Sequence, residues 1–147
     1  MIGEVIFCDD IRQEVDGRFS LMGIIPDVLE VRGRGSGQIR TLVAYGIFSI
    51  ITKAGGKFTA QLIAINEDGV ESRLGEEIVV DLPEPPKELA QEEGALAKVN
   101  PTIIMNDIEV EGDIGIAIRA TFEDEPFKTN VLAIRFINEA ENSNGEI

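Results

Sequence analysis

The chain has 147 residues, 44% of them hydrophobic, and its 13 basic and 27 acidic residues give a net charge of −14. That charge repels phosphate backbones and anionic lipid headgroups, so we expect neither nucleic acid nor a membrane surface as a partner. Histidine, the usual general base and metal ligand, is absent. The composition predicts one acidic domain that needs no cofactor and is not an enzyme.

The cysteine content and the amino-terminal residues bear on the compartment. Cys8 is the only cysteine, so no intrachain disulfide can form, and a reducing environment is the simpler expectation. Met1 to Glu4 lacks the basic residues of a secretion signal. The longest apolar run, Leu42 to Ile51, is about half of what a membrane-spanning helix needs. We therefore expect a cytoplasmic protein.

Short strand patterns, separated by turn residues, begin near the amino terminus. Glu4 to Cys8 and Arg18 to Ile25 are predicted strands, and Asp16-Gly17 between them is a tight-turn pair. The sequence leaves open whether Asp10 to Val15 extends the first strand or forms a helical turn. Asp27 to Val31 predicts another short strand.

A glycine-rich stretch and a strongly apolar segment follow. Val31 to Gln38 contains three glycines and predicts a flexible loop. Arg40 to Thr52 carries apolar residues on both of its alternating faces. Such a strand is either central in its sheet or has its outer face covered.

The next two strands are predicted to form a hairpin. Lys57 to Asn66 alternates between apolar and polar positions and ends at Asp68-Gly69, a hairpin turn signal. The partner strand runs from about Val70 to Leu82, with a bend or bulge expected at Gly75.

The residues after this hairpin break the pattern. Residues 83–98 are rich in proline and glutamate and predict a loop, or a short helix of up to two turns within Lys87 to Glu93. Val99 to Val110 predicts one more strand, and Pro101 favours an edge position for its start.

A second hairpin is predicted near the carboxyl terminus. Gly112 to Phe122 alternates strictly over eleven residues, Phe127 to Ile137 alternates likewise, and residues 123–126 form a polar turn between them. Residues 139–147 are polar and acidic and predict a disordered tail. Residues 1–138 therefore predict a single all-β domain, an antiparallel two-sheet β-sandwich of about eight or nine strands.

Two groups of charged residues are candidate sites. Acidic side chains at the end of the first strand suggest calcium ligands, although calcium needs more oxygens than they supply and no calcium-loop spacing is present. Three arginines around the glycine-rich stretch concentrate positive charge that an acidic partner or a second copy of the chain would favour, whereas the alternative is a solvated loop. The acidic group and its neighbouring arginine are Asp9, Asp10, Arg12 and Glu14, and the arginine group is Arg32, Arg34 and Arg40.

The serines, carboxylates and glycines give no catalytic motif. Serine hydrolysis by the usual triad needs a histidine, and sugar hydrolysis by paired carboxylates needs an aromatic cleft, whereas aromatic residues make up only 5% of this chain. Gly33 to Gly37 lacks the lysine and the strand-to-helix context of a phosphate-binding loop.

The opening of the chain carries a resemblance. Phe7 to Glu14, which reads Phe-Cys-Asp-Asp-Ile-Arg-Gln-Glu, and the strand Ser20 to Ile24 resemble the start of a family of small uncharacterised bacterial proteins. The C-terminal hairpin resembles the last hairpin of immunoglobulin-like sandwiches. The resemblance implies a sandwich-like fold and carries no known activity. It leaves two readings for Arg12 and the acidic residues near it, an ion pair beneath the first hairpin or a surface that binds a partner.

The sequence supports two hypotheses about function. The first is a non-enzymatic interaction or structural module that binds a protein or itself, because the strand with two apolar faces needs a cover. The alternative is a sandwich that binds a small molecule or carbohydrate, with calcium as an aid. An enzyme that uses only carboxylates is the least favoured.

Overall fold

The computed structural model describes residues 1–89 and 92–137, and every regular element there is a β-strand. The all-β prediction is confirmed. The strands of these residues are β1 Ile2–Cys8, β2 Asp10–Gln13, β3 Phe19–Met22, β4 Val28–Arg32, β5 Ser36–Thr52, β6 Gly56–Ile65, β7 Glu71–Leu82, β8 Ala95–Val99, β9 Thr102–Glu111, β10 Ile114–Phe122, β11 Glu125–Lys128 and β12 Leu132–Ile137.

The first sheet is built around the long strand β5. Strand β1 pairs with one edge of β5, and β8 and β9 pair in succession with its other edge, all antiparallel. Pro101 has no N–H for the ladder and separates β8 from β9. At this break the side chain of Asn100 supplies a hydrogen bond, because its Nδ2 donates to the Gly46 carbonyl oxygen at 3.1 Å. Of the two alternatives for the doubly apolar strand, a central position or a covered outer face, the structure shows the central position, because β5 has partners on both edges.

The second sheet has the order β4-β12-β10-β6-β7. Strand β10 also pairs with β11, through a two-residue turn in which Glu123 and Asp124 both have positive φ, 50° and 65°. The chain then shifts its register at Thr129, whose Oγ1 accepts from the Ile118 N–H at 3.0 Å, before β12 continues along β10. The predicted C-terminal hairpin is confirmed, with its second strand divided in two.

The second sheet contains one parallel pair. Strands β4 and β12 run parallel, with Leu29 opposite Ile134, so the sheet is mixed and the prediction of purely antiparallel pairing is wrong at this edge. The physical reason is connectivity. A parallel partner needs a long crossover, and almost the whole chain separates β4 from β12, which no local pattern reveals.

One hydrophobic core takes side chains from both sheets. The rings of Phe48 on β5 and Phe58 on β6 pack edge to face with centroids 5.2 Å apart. Fully buried aliphatic residues surround them, among them Leu42, Leu62, Ile116, Ile118, Leu132 and Ile134. The residues of β6 and β10 that enter this core are the alternating apolar ones that the sequence predicts, namely Phe58, Ala60 and Leu62 on β6 and Ile116, Ile118 and Ala120 on β10.

The number of strands and two segments differ from the predictions. Twelve strands occur in the described residues where eight or nine were expected, because Ala95–Val99 is a strand in a segment predicted as a loop or short helix, the shift at Thr129 divides a predicted strand, and Asp10–Gln13 is a strand of its own. The glycine-rich loop is only residues 33–35, since β5 already begins at Ser36.

The proline-rich segment lies partly, and the predicted tail wholly, outside the described residues. Within 83–98, Pro86 to Leu89 forms a turn closed by the Leu89 N–H on the Pro86 carbonyl at 3.0 Å, and Ala95–Val99 is β8. No helix occurs in the described part of that segment. The predicted tail, 139–147, lies outside the described residues. Among residues 1–89 and 92–137 there is no helix long and apolar enough to cross a membrane.

Candidate functional site

The acidic group of the sequence lies on a projecting hairpin. Strands β2 and β3 pair only with each other, with Arg12 opposite Ser20, and no residue from Asp9 to Ile24 is buried. We call this hairpin the arm. Its turn has Gly17 in the left-handed region, at φ 85°, as the Asp16-Gly17 signal predicts. The sequence left open whether Asp10 to Val15 extends the first strand or forms a helical turn. In the structure Asp10–Gln13 is a strand of its own.

The charged side chains of the arm make local contacts. Arg12 Nε lies 3.5 Å from Asp10 Oδ2, two residues away on the same strand, and both side chains are more than half exposed. Glu14 Oε1 accepts from Ser20 Oγ across the hairpin at 2.7 Å. Asp9 precedes β2 and is exposed. The Arg12 pair therefore lies on the surface and not beneath the hairpin.

No metal site emerges from the carboxylates. In the described part of the chain, no group of three or more cysteine, aspartate and glutamate side chains is placed to hold a metal ion. Asp16, at the arm's turn, instead pairs with Arg18, and this hydrogen bond lowers the pKa of the Asp16 carboxyl.

The three arginines near the glycine-rich turn do not form a cluster of contacts. Arg32 ends β4, Arg34 lies in the turn and Arg40 lies on β5, and all three are exposed. None of them forms an ion pair with another residue in the ranges that the structure describes. Their side chains are available to solvent.

The base of the arm covers one end of the outer face of the first sheet. Cys8 and Val43 sit opposite each other there and are 0% and 1% exposed, although neither belongs to the core cluster between the sheets. Cys8 Sγ contacts the Asp10 carbonyl oxygen at 3.5 Å. Burial, followed by the charges of the neighbouring aspartates, raises the pKa of the Cys8 thiol.

Beyond the arm, the outer face of the first sheet is open, and its apolar residues share it with Glu4, Ser49, Lys98 and Thr102. Ile47 on β5 is half-buried, and Ile51, two rows further on, is 59% exposed beside Leu96 of β8 at 61%. We call this surface the outer strip. Its members are Ile2, Ile6, Tyr45, Ile47, Ile51, Leu96 and Ile104.

A polar cleft of about 350 Å³ lies on the outer face of the second sheet. A β-bulge shapes it, because Gly75 to Glu77 on β7 face only Gln61 on β6, between the pairs Ala60–Ile78 and Leu62–Leu74. Gly75 has φ 72°, so the bulge falls where the sequence predicts it. The lining residues are Thr59, Gln61, Ile63, Glu71, Ser72, Arg73, Glu77, Arg119 and Thr121.

Gln61 forms the floor of the cleft. Gln61 is buried, with 7% exposure. Its side-chain Nε2 donates to the carbonyl oxygens of Leu74 and Gly75, both at 3.0 Å. These bonds replace the ladder that the bulge interrupts. Beside it, the hydroxyls of Thr59 and Thr121 hydrogen-bond each other across β6 and β10.

An ion pair closes one side of the cleft. Arg119 on β10 binds Glu71 on β7, and Lys128 Nζ lies 3.4 Å from the other oxygen of Glu71. The hydrogen bond from Arg119, reinforced by Lys128, lowers the pKa of Glu71. Arg73, opposite Ile63 at the same cleft, has no ion-pair partner in the described residues.

Sequence reasoning missed the cleft as a site. The polar positions of β6 are visible as an alternating set, and the β6–β7 hairpin is predictable, but β10 completes the cleft by pairing with β6 from a distant part of the chain. For the strip a signal existed, namely the second apolar face of β5. No protein-family model, curated protein or solved structure matches the chain.

Proposed function

We propose that this protein is a non-enzymatic interaction module that associates with a second copy of itself through the outer strip. The observation that supports this most is the run of exposed branched residues on one sheet face, with Ile2 at 72%, Leu96 at 61%, Ile51 at 59% and Ile104 at 54% exposure. Isolated exposed apolar residues are ordinary, whereas several of them on one face of a sheet favour an interface.

We further propose that the domain is an immunoglobulin-like β-sandwich. Immunoglobulin domains place strands A, B and E in one sheet and C, F and G in the other. Assigning β1, β5 and β9 to A, B and E, and β6, β10 and β12 to C, F and G, agrees with both the chain order and the sheet order. The disulfide and tryptophan of antibody domains have no counterpart, because the chain has one cysteine and no tryptophan.

Charge placement supports a second copy as the occupant of the strip. Glu4 of β1 is opposite Ile47, and Lys98 of β8 is opposite Ser49, so the two charges flank β5 on opposite sides. A two-fold axis parallel to β5 would lay β1 of one copy over β8 of the other and bring each Glu4 near the partner copy's lysine. Both side chains are exposed and lack ion-pair partners in the described residues.

The area of the outer strip determines how strong a dimer we expect. Three strands at about 4.8 Å and nine residues at about 3.4 Å define a face of roughly 14 by 30 Å, or about 400 Å² of flat sheet. Twice that area, about 800 Å², is below the roughly 1,200–2,000 Å² that a stable specific interface buries, so we expect a weak dimer. The charge of −14 on each copy opposes association, and added salt should strengthen the dimer by screening it.

Sedimentation equilibrium over a range of protein concentrations tests the proposal. Ile51→Lys should abolish the dimer, because it places a charge in the apolar interface. Val79→Lys is the matched control, since Val79 is 50% exposed but lies on β7 in the other sheet. Its dimerisation should equal that of the wild type.

Charge reversal tests the orientation of the dimer. Glu4→Lys and Lys98→Glu should each weaken association, and the double variant should restore it. A protein that stays monomeric at all concentrations, or an Ile51→Lys variant that dimerises like the wild type, would overturn the proposal. If the wild type dimerises but the Glu4→Lys/Lys98→Glu double variant does not regain association, the two-fold axis parallel to β5 is refuted.

A further inference from the structure

We propose that the cleft between β6, β7 and β10 binds a small zwitterion of amino-acid or dipeptide size, which offers a carboxylate and an N–H donor. This site is independent of the outer strip, because it lies on the other sheet. The observations that support it are an unused acceptor on a buried floor residue, an unused cation at the rim and a volume that matches the ligand.

The acceptor is Gln61 Oε1. The carbonyl oxygens of Leu62, Leu74 and Gly75 all lie within hydrogen-bond distance of one end of the side-chain amide, so that end must be the Nε2 donor. The oxygen is thereby fixed at the other end. It accepts no hydrogen bond from the described residues, and it is open to solvent in the cleft, because no fully buried side-chain polar atom among them lacks a partner. A ligand N–H would satisfy it.

The cation is the guanidinium of Arg73. Arg119, the other arginine of the cleft, is held by Glu71, whereas Arg73 has no ion-pair partner in the described ranges. A guanidinium binds a carboxylate through paired hydrogen bonds. The hydroxyls of Thr59 and Thr121 use one hydrogen between them, so the other hydrogen remains for a ligand oxygen.

The volume and the charge define the ligand class. About 350 Å³ is near the lower limit of small-molecule sites, which suits an amino acid or dipeptide. No aromatic residue lines the cleft, so sugar rings have no stacking surface. The chain's charge of −14 repels a net anion, whereas a zwitterion brings a carboxylate to Arg73 without a net charge.

The test is a titration of the ¹⁵N-labelled full chain with the dipeptide alanyl-alanine, followed by amide chemical shifts. Binding should shift the signals of the Gln61 side-chain amide and of the backbone at Thr59 and Thr121, and these shifts should saturate. The C-terminal amide of the dipeptide should bind more weakly because it has no carboxylate for Arg73. The N-acetyl derivative should also bind more weakly, because it is a net anion.

Variants separate a specific site from general affinity. Arg73→Ala should weaken binding about tenfold, as expected for the loss of one charge-assisted hydrogen bond. Arg135→Ala is the matched control, since Arg135 is an exposed arginine on β12 that does not line the cleft. The absence of saturating shifts in the cleft, or equal weakening by both variants, would overturn the proposal. If the Arg73→Ala spectrum shows loss of folding, Thr121→Val provides the second test and should also weaken binding.

Discussion

Asn130 binds the backbone of Val5 as a neighbouring strand would, although 125 positions separate the two residues. The Val5 N–H donates to Asn130 Oδ1 at 2.9 Å, and Asn130 Nδ2 donates to the Val5 carbonyl oxygen at 3.0 Å. Val5 lies on β1, at the edge of the first sheet, and Asn130 lies between β11 and β12 of the second. One side-chain amide therefore joins the two sheets and occupies backbone groups that an open edge would leave unpaired.

Replacing Asn130 tests the strength of this link. Asn130→Ala should lower the free energy of unfolding by about 1–3 kcal/mol, because it removes two hydrogen bonds to part-buried backbone groups. Asn130→Asp keeps an acceptor for the Val5 N–H but sets a carboxylate oxygen against the Val5 carbonyl oxygen, so it should not restore the lost stability. Urea denaturation measures both values. Equal stability of the alanine variant and the wild type would contradict a structural role for the link.

The ring of Phe48 requires glycine at Gly3, the residue opposite it on β1. A Cβ on Gly3 would overlap the ring, which is fully buried. Gly3→Ala should therefore cost about 1–3 kcal/mol of stability by overpacking, without any change of backbone region. In a Phe48→Leu background the same substitution should cost less, since the smaller side chain leaves space. Strict additivity of the two changes in denaturation experiments would refute this contact.

The parts of the fold that could be predicted from sequence are those with a local cause. Alternation in Gly112 to Phe122 fixes a strand and its buried face, and Asp68-Gly69 fixes the turn where Gly69 adopts φ 78°. The parallel pairing of β4 with β12 has no local cause, because it depends on which sheet edge remains open after the other strands have paired.

The candidate sites, like the fold, were predictable from sequence only where their cause is local. The second apolar face of β5 indicates an uncovered surface, but the sequence does not say that the arm covers Val43 while Ile51 stays open. Gln61 is recognisable only as a polar residue in an alternating strand. Its fixed orientation comes from the bulge at Gly75, thirteen or more residues away, and this depends on the pairing of β6 with β7.

The ion pair between Arg12 and Asp10 should contribute little to stability. Both side chains are exposed and lie on one strand, so Arg12→Ala should change the free energy of unfolding by less than about 0.5 kcal/mol. Arg119→Ala, which breaks the pair with Glu71 in the cleft, should have the larger effect. Thermal denaturation of the two variants side by side makes the comparison. A large loss of stability in Arg12→Ala would instead support a structural role for the opening motif.

The pair between Arg119 and Glu71 predicts a dependence of stability on pH. Because the folded protein lowers the pKa of Glu71 below its ordinary value of 4.5, the unfolded chain takes up this proton first as the pH falls. The contribution of Glu71 is therefore complete above its ordinary pKa and is lost as the pH falls through the lowered value. Glu71→Gln should be less stable than the wild type near neutral pH, and the difference should shrink in acid.

Glu76→Gln is the matched control for this titration. Glu76 is an exposed glutamate on the same strand and has no ion-pair partner in the described residues. Its substitution relieves part of the repulsion within a chain of charge −14, so it should leave stability near neutral pH unchanged or slightly increased. Comparing each variant with the wild type at every pH removes the effect of the remaining carboxylates. A gap between wild type and Glu71→Gln that stays constant from neutral to strongly acidic pH would show that the ion pair does not form in solution.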